Sequence, residues 1–150
     1  MKILCNIKFI LTLWLCVCYS QLSLAQNNLE SFYLGKHRLT LQWLDDKNAG
    51  EAIVVKLTDN TLKISGKQWK GERDYLIIEG TITPIGEREF SFKGKIITCA
   101  NYINQGNPCE KNGSYTFKAT GKRKYWRLQE MNNCEGNNVV DYVDIFFLKH

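Results

Sequence analysis

The chain has 150 residues, 20 basic and 15 acidic side chains, a formal charge of +5 and 44% hydrophobic residues. That length fits one domain with one core rather than two. So small a charge excess argues against a surface that grips nucleic acid or anionic lipid by charge alone, because such binding needs a concentrated patch.

The first segment sets the compartment. Lys2 and Lys8 bracket a basic start, Ile3 to Leu15 is largely apolar, and Ser23-Leu24-Ala25 puts small residues where a signal peptidase reads them. This is the pattern of a secretory signal peptide over residues 1–25, with cleavage before Gln26. The uninterrupted apolar stretch Phe9 to Tyr19 is too short to cross about 30 Å of hydrocarbon, so no membrane span is expected after cleavage. Cys16 and Cys18 follow the bulky Leu15 and Val17, which disfavours lipid attachment. The expected product is therefore a single β domain, residues 26–150, secreted or periplasmic. Removing Lys2 and Lys8 leaves 18 basic residues against 15 acidic ones, and only Cys99, Cys109 and Cys134 of the six cysteines remain.

After a short helical turn predicted over Asn28 to Tyr33, period-two alternation dominates and indicates half-buried strands. Leu39, Leu41 and Trp43 alternate with Arg38, Thr40 and Gln42; Ile53, Val55 and Leu57 follow, then Leu62 and Ile64. Further strands are read at Leu76 to Ile82, Phe90 to Ile96, Tyr115 to Ala119, Trp126 to Leu128 and Val139 to Phe147. Asp45 to Gly50, Gly66, Pro84-Ile85-Gly86, Gly121 and Asn132 to Asn138 supply the turn chemistry between them. The reading is an all-β fold of about eight antiparallel strands. A small up-and-down, lipocalin-like barrel is favoured over the alternative, a two-sheet β-sandwich. Gly80 and Gly94 fall on inward registers of neighbouring long strands, where a missing side chain permits the bending a small barrel needs.

Three cysteines, an odd count in an exported chain, leave one unpaired or shared. Strands running to Thr120 and from Arg123 set Cys109 across from Cys134, where the hairpin opens, within reach of disulfide geometry. Closing that loop would contribute roughly 3.5 kcal/mol in the chain-entropy model. The rival pairing, Cys99 with Cys109, would tie the long loop between them.

Catalytic and metal-binding signatures are wanting. His37 is read as a solvent-facing member of Lys36-His37-Arg38, and His150 ends the chain, so neither fits a zinc motif or a Ser-His-Asp arrangement. No cofactor and no enzymatic activity are expected. Asp45, Asp46, Asn48 and Glu51 lack the alternating spacing of a calcium loop. Asp141 and Asp144, three apart on a strand, point to opposite faces and cannot form a carboxylate pair. The basic and aromatic run Lys122 to Met131 is read as a hairpin turn plus a core face, not as a nucleic-acid surface. Arg127 on its other face would need a carboxylate, and Asp141 or Asp144 is the candidate partner in an ion pair.

Two functions fit this architecture. One is a barrel holding a small, mostly apolar ligand in a cavity lined by Trp43, Phe90, Phe92, Phe117 and Trp126. The other is a secreted interaction or inhibitor module that presents the loop from Thr98 to Asn112 to a protein partner. The strand pattern resembles small exported barrels of the lipocalin-like kind, which implies an architecture and transfers no residue: Gly35-Lys36-His37 stands where that kind carries G-x-W. Intact mass spectrometry of exported protein without reductant should give residues 26–150 carrying one disulfide; a mass retaining residues 1–25 overturns the cleavage.

Overall fold

The computed structural model describes residues 29–148; the signal peptide read over residues 1–25, and residues 26–28, lie outside the described residues. The chain divides into two units, residues 1–32 and 33–150. Of the first, the described residues 29–32 are helical. The second is a closed barrel of eight antiparallel strands in sequence order. The strands are β1 (Gly35–Leu41), β2 (Gly50–Lys56), β3 (Leu62–Lys70), β4 (Asp74–Gly86), β5 (Glu89–Cys99), β6 (Cys109–Lys118), β7 (Tyr125–Leu128) and β8 (Val143–Phe146). Each pairs with its neighbour in sequence, and β8 returns to β1 through Leu39↔Ile145, Thr40↔Asp144 and Leu41↔Val143. The two-sheet alternative is thereby excluded.

Closure at eight strands forces strong bending, and the glycines show where. Gly80 and Gly94 face each other across β4 and β5, and Gly113 of β6 extends the row. A Cβ on Gly80 would lie 2.3 Å from the Lys93 carbonyl oxygen, and one on Gly94 would lie 2.3 Å from that of Glu79. The backbones have closed into the space that side chains would fill.

Inward positions carry the core. Leu39, Leu41, Ile64, Leu76, Ile78, Phe90, Phe92, Ile96, Phe117, Trp126, Leu128 and Ile145 are almost fully buried. In β2 the inward residues are Ala52 and Val54, whereas Val55, and Leu57 just beyond the strand, are exposed. The apolar row Ile53, Val55 and Leu57 therefore marks the outer face. The reason is space: a Cβ on Gly66 of β3 would lie 2.7 Å from both Cα and Cβ of Ala52, so the interior here accepts only small groups.

Three expectations need correction. β1 stops at Leu41, so Trp43 belongs to the following loop and not to the barrel wall. The last strand begins at Val143; residues 139–142 run as a loop joined to Asn132 by a single bridge at Val140. His37 is buried, because it shares the inward parity of Leu39 and Leu41. Its ring nitrogens lie 2.7 Å from the Tyr33 carbonyl oxygen and 2.9 Å from that of Phe146, tying the start of β1 to the end of β8.

Gly94→Ala should destabilise the domain by about 1–3 kcal/mol, the usual cost of overpacking. A lowered denaturant midpoint would show it, and an unchanged midpoint would mean that the strands can part without cost.

Candidate functional site

At one end of the barrel, rings fill the interior. Phe90 stacks on Phe117 with centroids 5.0 Å apart and meets Trp126 at 5.6 Å, while Phe92 meets Phe117 edge-on at 6.0 Å. Tyr33 stacks on Trp126 at 5.0 Å from one side, and Phe147 approaches to 4.5 Å from another. The hydroxyl of Tyr33 donates to the carbonyl oxygens of Gly86 and Glu89, closing the turn between β4 and β5. Burial first, and then Glu87 and Glu89, holds this phenol far above its ordinary range. Trp126 Nε1 donates to the Glu87 carbonyl at 3.0 Å. Four of the residues expected to line a cavity, Phe90, Phe92, Phe117 and Trp126, thus spend their surfaces on one another.

Trp43, the fifth, lies at the opposite end in a polar cap built around Asp141. That carboxylate is fully buried. It accepts from Trp43 Nε1 at 3.0 Å, Thr98 Oγ1 at 2.8 Å and Asn133 Nδ2 at 3.0 Å, and it faces Lys111 Nζ at 3.5 Å. Each contact answers a physical need, since a buried carboxylate requires several donors and a countercharge. Burial pulls the Lys111 ammonium below its ordinary range, and Asp141 acts against that shift. Asp141 is therefore not the partner of Arg127, as one of the two sequence alternatives had it. The space between Trp43, Thr98, Ala100, Ile103 and Asn133 is packed too closely to admit water.

Around this cap the loops hold each other. Cys109 and Cys134 form a disulfide with Cα atoms 5.4 Å apart. The sequence register behind that pair would set Lys118 opposite Tyr125, whereas the structure sets it opposite Arg127. The difference is taken up at Gln129–Met131, where the Met131 N–H turns back to the Gln129 carbonyl and the Glu130 carboxylate replaces a strand in accepting from Thr116 N–H. Asn104 N–H donates to Glu135, joining the 100–108 loop to the 129–142 loop. Tyr102 sits on top, 60% exposed, with its hydroxyl on the Trp43 carbonyl at 2.6 Å and its ring edge-on to the indole. Cys99, the free cysteine among the described residues, is buried beneath this loop, its Sγ 3.5 Å from the Gly106 carbonyl oxygen. Burial first, and Asp74 second, pushes its thiol up, which opposes a nucleophilic role.

Arg127 meets Asp144 on the outer face of β7 and β8. Nε and Nη2 donate to the two carboxylate oxygens at 2.7 and 2.6 Å, a two-point pair. The hydrogen bonds to Asp144 raise the guanidinium above its ordinary range. Among the described residues, no group of three or more His, Cys, Asp and Glu is placed to hold a metal ion. No described helix is long and apolar enough to cross a membrane.

This barrel, its glycine crease and its disulfide-tied cap lie within a recognised sequence family, matched over residues 22–147. The chain belongs to the PM1083 family. A relative from Pasteurella multocida (strain Pm70), whose name is "Uncharacterized protein PM1083", is 40% identical over 123 residues, covering 81% of this chain and 77% of the relative. No solved structure matches the chain. The PM1083 match takes in every strand of the barrel and both halves of the disulfide.

Asp141 carries more than the sequence let it show. Asp141→Ala strands the Lys111 ammonium and three donors, and should cost about 3–5 kcal/mol. Thermal or denaturant melts will measure the loss; a variant as stable as the parent would mean that water satisfies these groups.

Proposed function

We propose that this PM1083-family chain is an exported, non-enzymatic binding module that engages a protein partner through its looped end. In this reading the signal peptide ends before Gln26, and residues 26–150 act as one secreted or periplasmic domain. The observation that carries it is Tyr102. An exposed aromatic ring normally pays conformational entropy when a partner immobilises it, but here the Trp43 contacts have already fixed it. The disulfide and the Asn104–Glu135 bond set the surrounding loops in the same way. The ring packing at the other end favours this over an apolar ligand held inside the barrel, because a ligand would have to displace Phe90, Phe117 or Trp126 from one another.

Two measurements test the reading. Phe92→Ala should unfold or destabilise the domain by about 3–5 kcal/mol, as expected of a packed core. A folded variant with altered uptake of an apolar fluorophore, or stoichiometric uptake by the parent protein, would restore the ligand-cavity reading. Partner capture from the exported fraction should be lost with Tyr102→Ala while the fold is retained; capture indifferent to Tyr102 would remove the looped end from the interaction.

A further inference from the structure

A groove of about 550 Å³ runs along the outer barrel wall. Its floor is Thr40 of β1 with Asp144 of β8 and Arg127 of β7, cross-strand partners in consecutive ladders. Tyr125 and Phe146 form one end, with rings 5.1 Å apart and tilted by 47°. Gln42, Leu44 and Asp45 form the other.

The ion pair at its centre is unusual for an outward sheet face. The side chains of Arg127 and Asp144 are only 16% and 10% exposed. Tyr142 covers the guanidinium at 4.1 Å from its ring centroid, and Tyr125 approaches at 5.2 Å. An exposed pair held only for stability would add little, and a dry one bears a desolvation cost. Held this way, however, the pair is fixed in orientation. Nε and Nη2 are committed to Asp144, with Nη2 also 3.4 Å from the Tyr125 hydroxyl, whereas Nη1 has no acceptor among the described residues. The Thr40 hydroxyl likewise makes no hydrogen bond to a described residue, although Thr40 is nearly buried. Among the described residues no side-chain nitrogen or oxygen sealed from solvent lacks a partner, so both atoms keep some access to solvent, and both residues line the groove.

We infer that this groove is a binding site for a neutral saccharide, a site that goes beyond the protein-binding role proposed for the looped end. The charges at its centre cancel and Asp45 adds a carboxylate at one end, so an anionic ligand would meet Asp144 and Asp45 and a cationic one Arg127. A sugar hydroxyl both donates and accepts; adjacent hydroxyls match a carboxylate edge beside a guanidinium edge and the Thr40 hydroxyl. The apolar C–H face of a pyranose packs on aromatic rings, which Tyr125 and Phe146 supply at one end of the groove, where Arg38 already lies 4.5 Å over the Phe146 ring and leaves the ring edges and the Tyr125 side for the sugar. A groove on a rigid sheet, with its polar groups already oriented, loses little entropy on binding.

The test uses the disulfide-bonded mature protein on an array of neutral oligosaccharides, followed by saturation-transfer NMR and calorimetry on those retained. The expected result is binding of at least one neutral oligosaccharide, with saturation of its ring C–H protons. Thr40→Gln, which fills the floor beside Asp144, its cross-strand partner, should weaken it by about tenfold or more. Arg127→Lys keeps the charge but loses the forked geometry and should weaken it similarly; Thr40→Val, close in shape, guards against a folding artefact by removing the hydroxyl alone. Tyr102→Ala should leave saccharide binding unchanged, so failure at the looped end and failure here are separable. Retention of no neutral oligosaccharide overturns the inference, as does binding indifferent to Thr40→Gln or preference for an acidic glycan or acidic peptide in the same groove.

Discussion

Everything in this molecule depends on how tightly its sheet must curl. Where β4 meets β5 the backbones approach within the distance that a Cβ would occupy, and the facing pair Gly80 and Gly94 permits that approach. A second close approach, Gly66 against Ala52, leaves room only for a small inward side chain at that point of β2. It leaves the bulky inward side chains to gather where the wall opens, toward Phe90, Phe117 and Trp126. The rings occupy one end and the polar cap the other, so the barrel is filled from both directions by different chemistry.

The division follows from what each end must solve. At the ringed end the chain turns tightly between strands, and rings with a few edge donors suffice: Tyr33, His37 and Trp126 all bond to backbone carbonyls. At the other end long loops leave polar groups over the core, and one buried carboxylate gathers them. Between β6 and β8 the ladder is incomplete, since β7 has only four residues. The seam is made good by side chains and one covalent bond: Glu130 on the Thr116 amide, Lys111 on Asp141, and Cys109 to Cys134.

Much of the fold was legible because strand periodicity is a strong signal in long, half-buried strands. Leu39 with Leu41, Leu76 with Ile78, and Phe90 with Phe92 announced both the strands and their inward face. Where the reading went astray, local pattern met a constraint from elsewhere. Ile53, Val55 and Leu57 looked like core, yet the inward face was set by the space beside Gly66. His37 sits among charged neighbours in sequence, although its parity with Leu39 places it inside. Trp43 kept the alternation after the strand had ended. The site was less legible still: Arg127 could be seen to need a carboxylate, but the choice between Asp141 and Asp144 depended on where β8 begins. The convergence of Trp43, Thr98, Lys111 and Asn133 on Asp141 joins four distant segments, and no spacing rule encodes it.

The return of the last strand to the first also bears on how the chain reaches its native state. Seven of the eight ladders join sequence neighbours and can form in succession, but β1 has no second partner until residues 143–145 arrive. Until then β1 and the growing edge present unpaired amides and carbonyls, the surface on which chains add to one another. A polypeptide shortened before Val143 would keep both edges for good, and would be expected to assemble with its own kind rather than remain monomeric. The final strand is short and contributes little area, yet it is what converts an open sheet into a closed one.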